Sequence, residues 1–246
     1  MTCAELHKLL LAEGAFFGFN KKHEKYGYLQ QPPTNVSVDD LFVAYDHKNR
    51  QILNCQLQDN WDKMVFTDGI YIMFQNEELG NFHDDNLPAH DRIVYVGINE
   101  ENSEKQIEGG VFKLSGKYAK LRRRLKDHFA GTRTTSLRRH LEASLQKANI
   151  STSVSEYIQE NFYFVVIHVP NKDLRDKLEG NIISTVAHCK HCIPTSKWIG
   201  KHNPIQKIAN GNLWNVNKLN DPPLDDEDLA YIKAHLVRES DLPKKP

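Results

Sequence analysis

The stretch "LEGNII", Leu178 to Ile183, puts a carboxylate where one is not usually found. At the helical period, Leu174, Leu178, Ile182, Ile183 and Val186 spread over about half a helix circumference, and Glu179 falls inside that apolar arc. A carboxylate taken out of water needs a partner or a cation. The plain reading is an i,i+4 ion pair with Arg175, one turn earlier, worth a few tenths of a kcal/mol; the chemical reading is a metal ligand. Two other groupings invite the same weighing. "DGIYIMF" (68–74) and "RIVYVGI" (92–98) each set a tyrosine, Tyr71 or Tyr95, beside a glycine, and "RLKDHF" (124–129) sets Arg124 and His128 one turn apart on a helix. Singly, strand tyrosines are most often packing residues with a bonded hydroxyl, and a histidine late in a helix can simply favour the helix dipole.

Charge is unevenly distributed although the net charge is zero. Between Glu77 and Glu108 nine acidic residues face only Arg92 and Lys105, whereas from Lys113 to His140 ten Lys or Arg face Asp127 alone. The basic block, which includes Lys117, Lys120, Arg122, Arg123, Arg133, Arg138 and Arg139, is the footprint expected where a protein meets a phosphate backbone, and a solvated helix face is its bland alternative.

Positioning these groups requires a mixed α/β chain. Residues 4–12 read as a helix, and 41–45 with 51–57 as a hairpin across "DHKN". In the first tyrosine strand Ile70, Ile72 and Phe74 take one face and Tyr71 and Met73 the other; in the second, Tyr95 alternates with Val94 and Val96. The connection between them is polar, acidic and longer than a common hairpin loop. Helices are expected over 117–130, with Tyr118, Leu121, Leu125 and Phe129 as its apolar stripe, and over 135–147. The capping box "SVSE" opens a short helix, "NFYFVVIHVP" is a strand, and Asn171 caps the helix that carries Glu179.

The ordered set "GIY", "YVG", "RLKDHF" and "LEGNII" resembles the motifs of the GIY-YIG nuclease superfamily, over about residues 66–219. That resemblance implies an α+β fold, a small three-stranded antiparallel sheet flanked by helices, and metal-dependent cleavage of DNA phosphodiesters. It implies that Tyr71 activates or orients the attacking water, Tyr95 supports it, Arg124 binds the scissile phosphate, His128 is a polar contact or proton relay, and Glu179 ligates Mg²⁺ or Mn²⁺. A tyrosine ordinarily titrates near about pH 10, so this role for Tyr71 calls for a nearby cation. The family also has an asparagine after the glutamate. Asn203 and Asn215 are the candidates, and the likeness of "TSKWIGKHNPIQKIANGNLWNVN" to a tail in a bacterial branch of the superfamily favours Asn215.

On this reading 1–65 is an N-terminal extension, 66–219 the nuclease domain with an acidic insert at 75–91, and 220–246 an acidic helix and tail. The activity expected is that of a DNA endonuclease in restriction or phage defence, with a non-catalytic nucleic-acid-binding module as the alternative. A homodimer would let it cut both strands. The N-terminus lacks a secretory pattern and no apolar run approaches a membrane span, so a cytoplasmic chain without a membrane partner is expected. Four cysteines fit free thiols in a reducing compartment. In "AHCKHC" the ligand-type residues His188 to Cys192 are too close together to wrap one tetrahedral zinc. Cys3 and Cys55 would complete a four-cysteine site only if the N-terminal segment folded back, so a pair of thiols at a helix end is the default.

Overall fold

The computed structural model describes residues 3–11, 18–20, 42–46, 51–52, 68–80, 91–98, 120–129, 131 and 133–238. In chain order, helix α1 (Cys3–Leu10) precedes strands β1 (Gly18–Asn20), β2 (Phe42–Asp46), β3 (Gln51–Ile52), β4 (Gly69–Leu79) and β5 (Asp91–Ile98). Helices α2 (Lys120–Phe129), α3 (Ser136–Lys147) and α4 (Val154–Asn161) lead to strand β6 (Phe162–His168) and helix α5 (Lys172–Ala187). A 3-10 turn at Ile199–His202, the short α6 (Gln206–Ala209) and α7 (Asp226–His235) follow.

The strands form one antiparallel sheet in the order β3-β2-β1-β6-β4-β5. The expected trio is β6-β4-β5, but the sheet does not stop at three. Gly18 of β1 pairs with Phe164 of β6, and β2 and β3 continue outward as a hairpin. Strand β6, "FYFVVIH", is buried along almost its whole length, and an open edge on so apolar a strand would be a template for association. Strand β1 covers it at Phe164, and the segment after α7 covers it further along, where Leu236 bridges Ile167 and Val237 N–H donates to Val166 O at 2.9 Å.

Both sheet faces are covered, as its near-continuous apolar strands require. Ile70, Ile72, Phe74, Val165 and Ile167 meet α1, α5 and α7 through Leu6, Leu178, Ile182 and Ile232. Tyr71, Met73, Phe164 and Val166 meet α2, α3 and α4 through Leu125, Phe129, Leu141 and Ile158, with Trp198 and Trp214 completing that layer. Alternation along β4 is therefore as the sequence indicates. On β5 it breaks: Met73 pairs with Tyr95 and Phe74 with Ile93, so Val94 is an extra residue and lies in the same core layer as Tyr95. This bulge turns Val94 away from the face that simple alternation gives it.

The free edge of β5 is closed by a loop. Trp214 N–H donates to Val94 O at 2.9 Å, and the Asn215 side chain both accepts from Val96 N–H at 3.0 Å and donates to Val96 O at 2.8 Å. An amide side chain thus does what a neighbouring strand would do.

The acidic insert is shorter than expected. Strand β4 runs on to Leu79 and β5 begins at Asp91, so 75–79 belong to the sheet, while 81–90 lie outside the described residues. Glu78, expected in a polar loop, is buried instead and accepts from Arg92 Nε at 3.1 Å and from Thr195 N and Oγ1 at 3.1 and 2.6 Å. Arg92 also donates to Asn212 O and lies 4.9 Å from the Trp198 ring centroid. With side-chain exposures of 0% and 3%, this pair has no water to fall back on. Removing one partner strands the other. Glu78→Ala is therefore expected to cost about 3–5 kcal/mol in urea unfolding, and a loss no larger than the roughly 1 kcal/mol of an exposed pair would contradict a buried one.

Candidate active site

Tyr71 stands opposite Gly97 in the β4–β5 register, and its hydroxyl fills the space a side chain would take there: a Cβ on residue 97 would collide with Tyr71 Oη. Gly69 has a different reason, since a Cβ there would strike Ile167 O of β6. One glycine makes room for the tyrosine ring, and the other lets two backbones pair closely.

The Tyr71 hydroxyl is 2.6 Å from His128 Nε2, and His128 Nδ1 is 2.9 Å from Thr135 Oγ1. Thr135 is the N-cap of α3 and also accepts from Arg138 N. Tyr71 and His128 are fully buried, so His128 is not a solvent-facing group at a helix end. Tyr95 completes the cluster: its hydroxyl is 3.3 Å from Ser136 Oγ, and its ring centroid lies 6.2 Å from that of Tyr71 and 5.5 Å from that of His128.

Burial decides the protonation of all three rings. It lifts Tyr71 well above the usual tyrosine value, and the neighbouring Tyr95 adds to this, while the Arg124 guanidinium within hydrogen-bonding reach pulls the other way without winning. Tyr95 is raised for the same leading reason. His128 is held well below the ordinary histidine range by burial first, then by Arg124 and Arg138. Arg124 alone does not make Tyr71 a phenolate; Tyr71 is a neutral phenol against a neutral imidazole.

Glu179 comes from α5, on the other layer, yet its charge is felt at both tyrosines. Its side chain is 14% exposed and accepts from Lys218 Nζ at 2.7 Å. Arg175 is not its partner: that guanidinium is buried and donates to Val169 O at 2.8 Å and Pro170 O at 3.3 Å, with Asp68 at 3.9 Å. Burial raises the Glu179 pKa against the opposing pull of Lys218, so this carboxylate profits from positive charge beside it. Lys218 takes a left-handed backbone, φ 61°, which costs a non-glycine residue on the order of 1 kcal/mol. Magnesium usually takes one or two carboxylates together with water and phosphate oxygens; Glu179 offers one such carboxylate, with Lys218 on its Oε2.

Asn215 reaches the site indirectly by holding Val96, between Tyr95 and Gly97. Asn203 instead donates to His140 O and Ser144 Oγ, which anchors it to α3. Of the basic residues, Arg133 and Arg139 are exposed and line a groove of about 450 Å³ with Arg138, Glu142 and Ser155. Arg138 departs from the expectation of a solvent-facing phosphate contact, since it donates to His128 O at 2.7 Å and Ser155 Oγ at 2.9 Å and so braces α2 against α4. Lys117 and the side chains of Lys120, Arg122 and Arg123 lie outside the described residues.

Sequence reasoning missed Thr135, Ser136 and Lys218. The first two had a signal, since "TTS" ahead of a helical run marks an N-cap, but its hydroxyl partners were not foreseeable. Lys218 had none. Because Gly97 is filled by Tyr71, Gly97→Ala is expected to destabilise the fold by about 1–3 kcal/mol, as overpacking does, and to displace Tyr71 from His128. Thermal unfolding and tyrosine fluorescence unchanged from wild type would contradict this packing.

The sequence model of the GIY-YIG domain matches residues 109–241, more than half of the 246 residues and including Arg124, His128, Glu179 and Asn215. The match begins after β5, so Tyr71 and Tyr95 join the site by geometry. No curated protein and no solved structure gives a significant match. Members of the matching family are generally nucleases. With its antiparallel sheet, its flanking helices and this match, the chain belongs to the GIY-YIG superfamily.

Proposed function

We propose that this chain is a divalent-metal-dependent DNA endonuclease, acting in restriction or phage defence, with Tyr71, Tyr95, Arg124, His128 and Glu179 as its catalytic set. The observation that carries the reading is the buried Tyr71–His128–Thr135 hydrogen-bond chain with Arg124 and Glu179 beside it. A packing tyrosine would need a bonded hydroxyl, but not a neutral histidine held from behind by a helix cap.

With both partners neutral, the tautomer of His128 sets the direction of proton flow. Thr135 Oγ1 has two lone pairs, so it can accept from Arg138 N and from His128 Nδ1–H together. We assign this tautomer, with its hydrogen on Nδ1, which leaves Nε2 bare as the acceptor of the Tyr71 proton. When the hydroxyl takes a proton from the attacking water, it releases its own to Nε2, so the positive charge comes to rest on His128, where burial, Arg124 and Arg138 oppose it and the negative charge of a bound phosphate would have to offset them. Tyr95 confines the hydroxyl, and Arg124 supplies positive charge for the phosphate and for the developing oxyanion. Glu179 would hold Mg²⁺ or Mn²⁺, which when bound neutralises charge on the phosphate oxygens. Arg133 and Arg139 would meet the DNA backbone, and Asn215 would keep Tyr95 and Gly97 in register.

Nicking and linearisation of supercoiled plasmid with Mg²⁺, Mn²⁺ or EDTA tests this directly. Metal-dependent cutting is expected, reduced at least about 10²-fold in Glu179→Ala, the scale of losing one group that stabilises transition-state charge. Equal rates would remove Glu179 from the site. A folded protein that bound DNA in a salt-dependent way and cut none would instead be a binding module.

The lowered pKa of His128 also fixes a pH profile. Its imidazole stays neutral well below the roughly pH 6.5 at which an exposed histidine charges, so the cutting rate should show no acid limb there. Because the folded value lies below the unfolded one, His128 contributes stability that is complete above about pH 6.5 and lost as pH falls through the folded value. In His128→Gln that acid-side loss of thermal stability should shrink, and an unchanged pH dependence would mean that the histidine is already solvated.

A further inference from the structure

Helix α1 folds back onto the C-terminal end of α5, and the groups that meet there are sulfur and imidazole. Cys3, Cys189 and Cys192 are all buried, and their sulfurs lie within 4.8 Å of one another. Cys3 Sγ is 3.3 Å from Cys192 Sγ, and His7 Nε2 is 3.5 Å from Cys192 Sγ. Cys3 and His7 are four residues apart on α1, so one helix face presents both. Cys189 and Cys192 belong to a tight turn closed by Cys192 N–H to Cys189 O at 3.3 Å. A C-x-x-C turn facing two ligand-type residues from a distant segment is the pairing that the short stretch 188–192 could not supply by itself. The distant ligands are Cys3 and His7, whereas Cys55 lies outside the described residues.

We propose that Cys3, Cys189 and Cys192, with His7 Nε2 as the fourth ligand, form a structural zinc site that fastens α1 to the end of α5.

The spacing suits an ion better than the alternatives. A disulfide needs sulfurs about 2.05 Å apart. Around zinc, with Zn–S near 2.3 Å and Zn–N near 2.0–2.1 Å, the tetrahedral edges come to roughly 3.8 Å between sulfurs and roughly 3.6 Å between sulfur and nitrogen. The sulfur pair at 3.3 Å and the sulfur–nitrogen pair at 3.5 Å need small adjustments toward these edges, with a turn of the His7 ring toward the other two thiols. Neutral thiols bury at little cost; what points to an ion is three sulfurs and an imidazole from two distant segments converging on one point. Three thiolates around Zn²⁺ carry a net negative charge, and the buried Arg92 guanidinium is near enough to Cys192 to feel it. Asn212 bonds Cys189 O at 3.2 Å while accepting from Arg92, so the outer groups fix the C-x-x-C turn and the counter-charge together. The site is separate from Glu179 and does not depend on the nuclease reading.

The test is the metal content of the full chain purified without chelator. About one zinc per chain is expected, retained through magnesium exchange and lost in Cys192→Ser. Should Cys192→Ser fail to fold, cobalt exchange into the wild-type chain decides: an intense tetrahedral cobalt spectrum with thiolate charge transfer supports the site. His7→Ala, which keeps all three thiols, should release zinc faster to a chromophoric chelator. Wild-type protein without zinc that takes up no cobalt, or a Cys3–Cys192 disulfide in its peptide map, would overturn the proposal.

Discussion

A hydrogen-bonded chain from strand to helix to helix cap holds the site together. Tyr71 on β4 bonds His128 on α2, and His128 bonds Thr135 at the start of α3, so one run of side chains ties the sheet to two helices. None of its members can be satisfied by water, because Tyr71 and His128 are wholly buried and Thr135 nearly so. In a low-dielectric setting each bond polarises the next, and loss of one member leaves the others with orphaned polar atoms. The glycine at 97 is part of the same constraint, since only an absent side chain leaves the hydroxyl its place. Packing and chemistry therefore ask for the same residues.

Charge is arranged around that neutral chain rather than within it. Arg124 on the α2 side and Glu179 on the α5 side act on Tyr71 with opposite sign, and desolvation exceeds either. A site of this kind waits in its neutral form. On the reading proposed above, a bound phosphate and cation would change that balance and so restrict proton transfer to the bound state. Lys218 has a double part here, since it satisfies Glu179 in the resting protein and donates to Asp176 O from a left-handed backbone. A cation bound by Glu179 would have to share the carboxylate with it.

Local pattern revealed much of this, and long-range pairing hid the rest. The alternation of Ile70, Tyr71, Ile72, Met73 and Phe74 assigned both faces of β4, and the caps at Ser153 and Asn171 marked α4 and α5. Glu179 stood out as a carboxylate in an apolar arc. Its partner did not, because Lys218 is 39 residues away and the nearer Arg175 turns to carbonyls at the end of β6. The β5 bulge was hidden for a similar reason: one extra residue alters no propensity, only the register against a partner strand. Glu78 shows the limit of reading polarity as exposure, since an acidic run can include a residue whose counter-charge lies across the hairpin. The meeting of Cys3 and His7 with Cys189 and Cys192 required knowing that α1 returns to the body of the fold.

On the reading proposed above, Tyr71 and His128 act as one proton-transfer unit in phosphodiester cleavage. A double-mutant cycle in single-turnover DNA cutting, with Tyr71→Phe, His128→Ala and both together, addresses it most directly. Each single substitution is expected to slow the chemical step by about 10²–10⁴-fold, and the double variant to be scarcely slower than the worse single one. Effects that multiply independently, or a Tyr71→Phe protein that cuts at the wild-type rate, would contradict it.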